Sequence, residues 1–194
     1  ELYFWNKELI EKGTYIIEER NSTINLLNKL SVPIHKNLSN DQENLEITYM
    51  PNVPKIIETE SITEIFENQL ITKEKDEILQ GITIVGPHRD DIKISINSMS
   101  AHAYASRGQS RTTILSMKLA EAKVLMDFYN KEPLILLDDI LSELDIDRSK
   151  KILQLAEKYT QCIITTSDED LLSSEYISSN QKFKIEGREI FSIV

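Results

Sequence analysis

Apolar residues recur at spacings near three and four through residues 1–30: Leu2, Trp5, Leu9, Ile16, Leu26, Leu27 and Leu30. That period predicts one long helix, weakened at Gly13 by about 1 kcal/mol relative to alanine. Its cations (Lys7, Lys12, Arg20, Lys29) are interleaved with Glu8, Glu11, Glu18 and Glu19, the pattern of a solvated face. Residues 31–44 carry Pro33, Asn37, Ser39, Asn40 and Asp41 and read as a loop, with His35 standing alone in it. Alternation over 45–49 predicts a short, half-exposed strand. A second helix is expected over 61–80. It opens at Ser61 with Glu64 three residues later, a capping box, and ends at Gly81.

Residues 82–86 and 92–96 read as a pair of β-segments joined by the charged connection Pro-His-Arg-Asp-Asp (87–91). His88 and Arg89 there suit a phosphate or a partner, and a local pair between Arg89 and an aspartate suits the same residues. Over 110–129, Ile114, Leu115, Leu119, Val124, Leu125 and Phe128 cover most of a helix circumference, which predicts a largely buried helix. Residues 134–137 are a continuous apolar run after Pro133, as in a parallel strand covered on both faces. A helix over 147–159 and an apolar strand over 162–166 complete a βαβ unit, expected to be parallel and right-handed. Residues 182–193 read as a hairpin with Gly187 first in a two-residue turn. The fold class is α/β, with a mostly helical first portion.

Composition narrows the function. The 194 residues suffice for one ordinary domain or two small ones. The formal net charge of −10 argues against a surface coated for nucleic acid, so any DNA contact needs a local basic patch, further chain or an assembly. No apolar run approaches a membrane span. The single cysteine, Cys162, permits no internal disulfide and fits a reducing cytoplasm. Three scattered histidines make no metal site.

Two stretches carry chemistry. The apolar run ends in Asp138-Asp139, and in open α/β sheets ligands sit just beyond the carboxyl ends of the strands. A carboxylate there can hold Mg²⁺ beside a triphosphate. Its neighbour, pointing to the other side if extended geometry persists, can polarise an attacking water. The same two residues also suit a turn and cap. The second stretch is Ser106-Arg107-Gly108-Gln109, a capping box opening a helix, with a residue lacking a side chain inside it. Such a start suits a phosphate, and an ordinary cap needs no more than this. Arg107 and Arg111 oppose the helix dipole, which points to a nearby anion or to acidic partners.

A phosphate-binding loop needs GxxxxGK[ST]. Gly81 and Gly86 have the spacing, but Pro87 follows, without an N–H and without the lysine. The sequence contains no such loop.

Ala-Ser-Arg-Gly-Gln (105–109) resembles the signature motif of ABC-type ATPases. Leu-Ile-Leu-Leu-Asp-Asp (134–139) resembles their Walker B strand, and Ser-Glu-Leu-Asp (142–145) their D-loop. The wider string resembles the RecF family of bacterial recombination-repair ATPases, related to SMC proteins. It comprises Gly-Pro-His-Arg-Asp-Asp (86–91), Tyr-Ala-Ser-Arg-Gly-Gln-Ser-Arg-Thr (104–112), Lys-Leu-Ala-Glu (118–121) and Leu-Leu-Asp-Asp-Ile-Leu-Ser-Glu-Leu-Asp (136–145). The resemblance is strong over about 81–170 and looser before it.

The resemblance implies the carboxyl-terminal half of a longer cytoplasmic protein. An arm portion would span 1–80, and the distal lobe of an ABC-type head, with a parallel βαβ core, 81–194. ATP and Mg²⁺ would be the cofactors. Asp138 would help place Mg²⁺ and Asp139 would activate water. Ser106, Arg107, Gly108 and Gln109 would meet ATP bound by a partner head, and Ser142 and Asp145 would form the D-loop at the dimer seam. The family's switch histidine is replaced by Thr-Thr-Ser-Asp (165–168), where Thr166 would sense the γ-phosphate. The implied activity is ATP-gated homodimerisation on DNA junctions or gaps, with RecR-like and RecO-like mediators loading recombinase, in replication, repair and the SOS response. Without a phosphate-binding loop, the chain alone would not turn over ATP. Two other readings stand beside it: another SMC-like or overcoming-lysogenization-defect-like ATPase head, and a non-enzymatic interaction module of the same fold.

Overall fold

The computed structural model describes residues 2–54, 61–167 and 180–193. Contacts divide the chain into two compact units, Glu1–Pro33 with Glu43–Ala105, and Ile34–Gln42 with Ser106–Val194. The first helix contributes to both units.

In the first unit, α1 (Leu2–Leu38) supplies its portion up to Pro33. β1 (Leu45–Met50) alternates buried and exposed residues as expected. α2 (Ile62–Gln80) carries the anticipated capping box, and Gly81 ends it in the left-handed region. β2 (Asp91–Ile96) and β3 (Met99–Ser100) complete an antiparallel sheet of order β1-β2-β3. A short α3 (Ala101–Tyr104) follows. Ile47, Val53, Phe66 and Leu70 are buried in this unit.

One expectation fails here. Residues 82–86 are not a strand, and β2 pairs with β1 instead. The Ile82 N–H donates to the Glu77 carbonyl, and the backbone donors of 84–86 go to side chains: Glu77 Oε1 accepts from Ile84 and Val85, and Asn52 Oδ1 accepts from Gly86. Once those N–H groups are satisfied, the segment has no need of a ladder. Gly13 has a packing role beside its propensity cost. A Cβ there would lie 2.6 Å from Cε1 of the fully buried Phe66 ring, so the glycine admits that ring.

The second unit begins with the end of α1, expected as loop but helical through Pro33 to Leu38. Leu38 is fully buried among Leu115, Leu119, Ile135, Leu137, Leu141 and Ile152, and this burial outweighs the rung lost at the proline. α4 (Arg107–Tyr129) follows, then β4 (Ile135–Asp138), α5 (Ile146–Ala156) and β5 (Cys162–Thr165). β4 and β5 are parallel, with Ile135 opposite Cys162 and Asp138 opposite Thr165. A hairpin of β6 (Lys182–Glu186) and β7 (Glu189–Ile193) turns at Gly187.

Coverage is thinner than predicted. α4 buries one face, through Thr112, Leu115, Ser116 and Leu119, while Ile114 and Phe128 are exposed. β4 buries Ile135 and Leu137, but Leu136 is 66% exposed. The apolar residues that would cover a whole circumference or both strand faces are present, yet this chain packs only one side of each element. His35 is fully buried, its Nδ1 3.3 Å from the Ser116 hydroxyl, so it belongs to the interior of this unit.

Candidate functional site: a carboxylate strand tip and a capped helix start

β4 delivers Asp138 at its last position, and the chain turns immediately. Asp139 has φ of +49°, so extended geometry ends at the first carboxylate. This conformation is uncommon for non-glycine residues, and aspartate is among those that tolerate it. Four bonds hold the turn. The Asp139 N–H donates to the Thr165 carbonyl (3.1 Å) and shares itself with the Thr165 hydroxyl (3.0 Å). That hydroxyl donates in turn to Asp138 Oδ1 at 2.5 Å. The Ser142 hydroxyl donates to the Asp139 carbonyl at 2.9 Å. Asp138 and Asp139 are both exposed.

The helix start is built as its sequence specifies. Ser106 Oγ accepts from the Gln109 N–H (3.2 Å), and Gln109 Oε1 accepts from the Ser106 N–H (2.9 Å). Ser106 and Arg107 are exposed, while Gly108 and Gln109 are half-buried. The packing of this chain does not call for a glycine at 108. A Cβ there would meet nothing nearer than Arg148 Nη1 at 3.9 Å, an ordinary contact.

Asp145 caps α5, accepting from the Arg148 N–H at 2.9 Å, and forms an ion pair with Arg148 Nε at 3.2 Å. Arg148 Nη1 reaches the Gly108 carbonyl at 3.2 Å. The predicted residues therefore fall into two clusters: Asp138, Asp139 and Ser142 around Thr165, and Asp145 with Gly108 around Arg148. Thr166, half-buried, follows β5 directly. The βαβ reading places Thr165 near the site without a role, and sequence reasoning missed Arg148. The first was signalled by the parallel register, which sets Thr165 opposite Asp138. The second was signalled by an arginine three residues after a capping aspartate.

Among the described residues no group of three or more His, Cys, Asp or Glu side chains could cage a metal ion. The donor set still fits Mg²⁺, which keeps several waters and needs only one or two carboxylates beside a phosphate. Asp138 offers one such exposed carboxylate, oriented by the Thr165 hydroxyl.

No family model matches the chain. A DNA replication and repair protein RecF from Cyanothece sp. is 36% identical over 193 residues, covering 99% of this chain and 51% of its own length. Another, from Bacillus thuringiensis, is 37% identical over 170 residues, covering 87% and 45%. The chain belongs to the RecF family. It spans about half the length of the curated relatives it matches, and the matching stretch is their carboxyl-terminal half. The solved recombination mediator RecF–ATP of the RecFOR pathway superposes with a TM-score of 0.77 and 33% identity, over 98% of this chain and 50% of that one. A solved SMC ATPase shares the fold alone, at a TM-score of 0.54 and 15% identity over 92% of this chain and 89% of that one. The RecF match runs through residues 1–80 as well, where the motifs alone gave a looser resemblance. The α/β head-lobe fold expected from the motifs is the fold found.

Proposed function

We propose that this chain is the signature and Walker B half of a RecF-type ATPase, with residues 1–80 as an arm portion and residues 81–194 as the half-head. In the whole protein, ATP sits on a phosphate-binding loop that this stretch does not carry. Asp138, held by Thr165, places Mg²⁺. Bound there, the ion supplies charge neutralisation on the phosphates. Asp139, turned away from the strand direction, orients and deprotonates the attacking water. Thr166 contacts the γ-phosphate.

The signature completes the site of a second head. Ser106, Arg107, Gly108 and Gln109 meet the partner's ATP, with the Arg107 and Gly108 N–H groups, which the capping box does not use, and the helix dipole favouring the phosphates. Ser142 and Asp145 line the seam. ATP then gates dimerisation on DNA junctions or gaps in the cytoplasm, where RecR-like and RecO-like mediators help load recombinase. With a net charge of −10, this half makes its DNA contact through a local patch or the assembled dimer.

The observation that carries the reading is Gly108. The local packing leaves room for a side chain there, so the bare backbone at 108 is open to close approach by a ligand from outside the chain. The test is Asp139→Asn in the full-length protein. The expected result is hydrolysis lowered at least about a hundredfold, as for loss of a general base, with ATP-bound dimers accumulating. An unchanged ATPase rate removes Asp139 from its role.

A further inference from the structure

Arg148 touches the two motifs that the proposed function places at the dimer seam, and it belongs to neither. Its Nε lies 3.2 Å from Asp145 Oδ2. Its Nη1 donates to the Gly108 carbonyl at 3.2 Å, 40 residues away in sequence, and to Thr112 Oγ1 at 2.5 Å. The Thr112 hydroxyl donates its own hydrogen bond to that same Gly108 carbonyl at 2.8 Å. The other Asp145 oxygen is taken by the Arg148 N–H. Guanidinium, hydroxyl, carbonyl and carboxylate thus link the N-terminus of α5 to the first turn of α4. The arginine side chain is only 18% exposed. A planar fork suits this task, because separate donors hold fixed directions toward separate acceptors. A lysine ammonium is a single point and cannot reproduce them.

We infer that Arg148 is a positioning residue that makes the D-loop carboxylate and the signature helix start one mechanical piece, so that nucleotide engaged by Gly108 fixes Asp145 and the reverse. This rests on the proposed function above. The arginine contacts the carbonyl side of Gly108 and need not touch nucleotide. Its removal therefore spares the affinity of each head for ATP on its own phosphate-binding loop and weakens the pairing of the two heads.

The test uses the full-length protein and the variants Arg148→Lys, Arg148→Met, Asp145→Asn and the Arg148→Met/Asp145→Asn pair. Nucleotide affinity is read with a fluorescent ATP analogue under monomeric conditions, dimerisation by sedimentation with ATP, and hydrolysis as separate kcat and KM. Nucleotide affinity and KM should stay within about twofold, while the dimer dissociation constant rises about tenfold, within the usual range of coupling between sites. Both single Arg148 variants should show this, and the pair should be no worse than Arg148→Met, because members of one network are not additive. Wild-type dimerisation of either folded single variant, or effects that multiply in the pair, would overturn the inference. If Arg148→Met does not fold, Arg148→Lys, which keeps the charge and stem, decides alone. Asp139→Asn runs in the same assay. Trapped dimers with that variant beside unaffected Arg148 variants sink only the coupling, whereas an unchanged rate with Asp139→Asn sinks the ATPase reading itself.

Discussion

Asp138 and Thr165 face each other at the ends of two parallel strands, and the threonine hydroxyl donates to the carboxylate while accepting from the next backbone amide. One hydroxyl therefore fixes both the carboxylate and the turn after it. Thr165→Val keeps the shape and removes the bonds. It should cost about 1 kcal/mol of stability in urea unfolding, the usual worth of such bonds at an exposed site. In the full-length protein it should raise the Mg²⁺ concentration needed for half-maximal ATP hydrolysis. An unchanged Mg²⁺ requirement would leave Thr165 a purely local brace.

The conformation of Asp139 separates two substitutions at one position. Asparagine tolerates φ of +49° nearly as well as aspartate, while alanine does not. Asp139→Asn should therefore unfold within about 0.5 kcal/mol of the parent in urea, and Asp139→Ala about 1 kcal/mol below it. This makes the asparagine variant the cleaner probe of catalysis.

Gly13→Ala sets two effects against each other. The helix gains about 1 kcal/mol of propensity. The new methyl would lie 2.6 Å from Phe66 Cε1 and 3.3 Å from Pro87 Cδ, against a fully buried ring. Overpacking of this kind costs about 1–3 kcal/mol, so the net change should be destabilising by roughly 1 kcal/mol. A melting temperature above the parent's would show that the ring yields.

Asp90 gathers the unexplained Gly-Pro-His-Arg-Asp-Asp string into a structural knot. Its carboxylate accepts from Arg20 Nη1 (2.9 Å), the Asn52 N–H (2.8 Å) and the Tyr49 hydroxyl, and Arg20 also caps the Pro87 carbonyl at 2.6 Å. Asp90→Ala should destabilise by about 2 kcal/mol, since it leaves the Asn52 N–H and the Tyr49 hydroxyl without their acceptor, while the half-exposed Arg20 keeps water and the Pro87 carbonyl.

The same knot predicts a pH dependence. Burial, and then the bond to Asp90, push the Tyr49 phenol up to about 12 from its ordinary value of 10. The folded state favours the neutral phenol, so its contribution is complete below pH 10 and is lost as pH climbs from 10 to about 12. The loss is on the order of 2 kcal/mol. Urea midpoints of the parent and Tyr49→Phe should converge across that window.

Much of this was legible in the sequence wherever one local rule decided the outcome. Ser61 and Ser106 with their partners three residues on formed the boxes they spelled. The alternation at 45–50 became a half-buried strand, and the two apolar runs became a parallel pair. The rest depended on contacts distant in sequence. Nothing local says that Glu77 will satisfy the amides of Ile84 and Val85 and so dissolve a plausible strand. Nothing local says that Leu38 will be buried deeply enough to carry a helix past Pro33. The spacing after Asp145 signals the local pair of Arg148, but not its reach to α4, since those acceptors lie 36 and 40 residues earlier.

Leu136 and Ile163 are opposite each other in the β4–β5 register, and both lie bare to water. An aliphatic ribbon of this sort behaves as an adhesive: it takes up fluorescent hydrophobic dyes and invites neighbouring molecules to stack against it. Charged substitutions at these two positions should make the isolated polypeptide easier to keep monodisperse, at the expense of whatever later comes to lie over them.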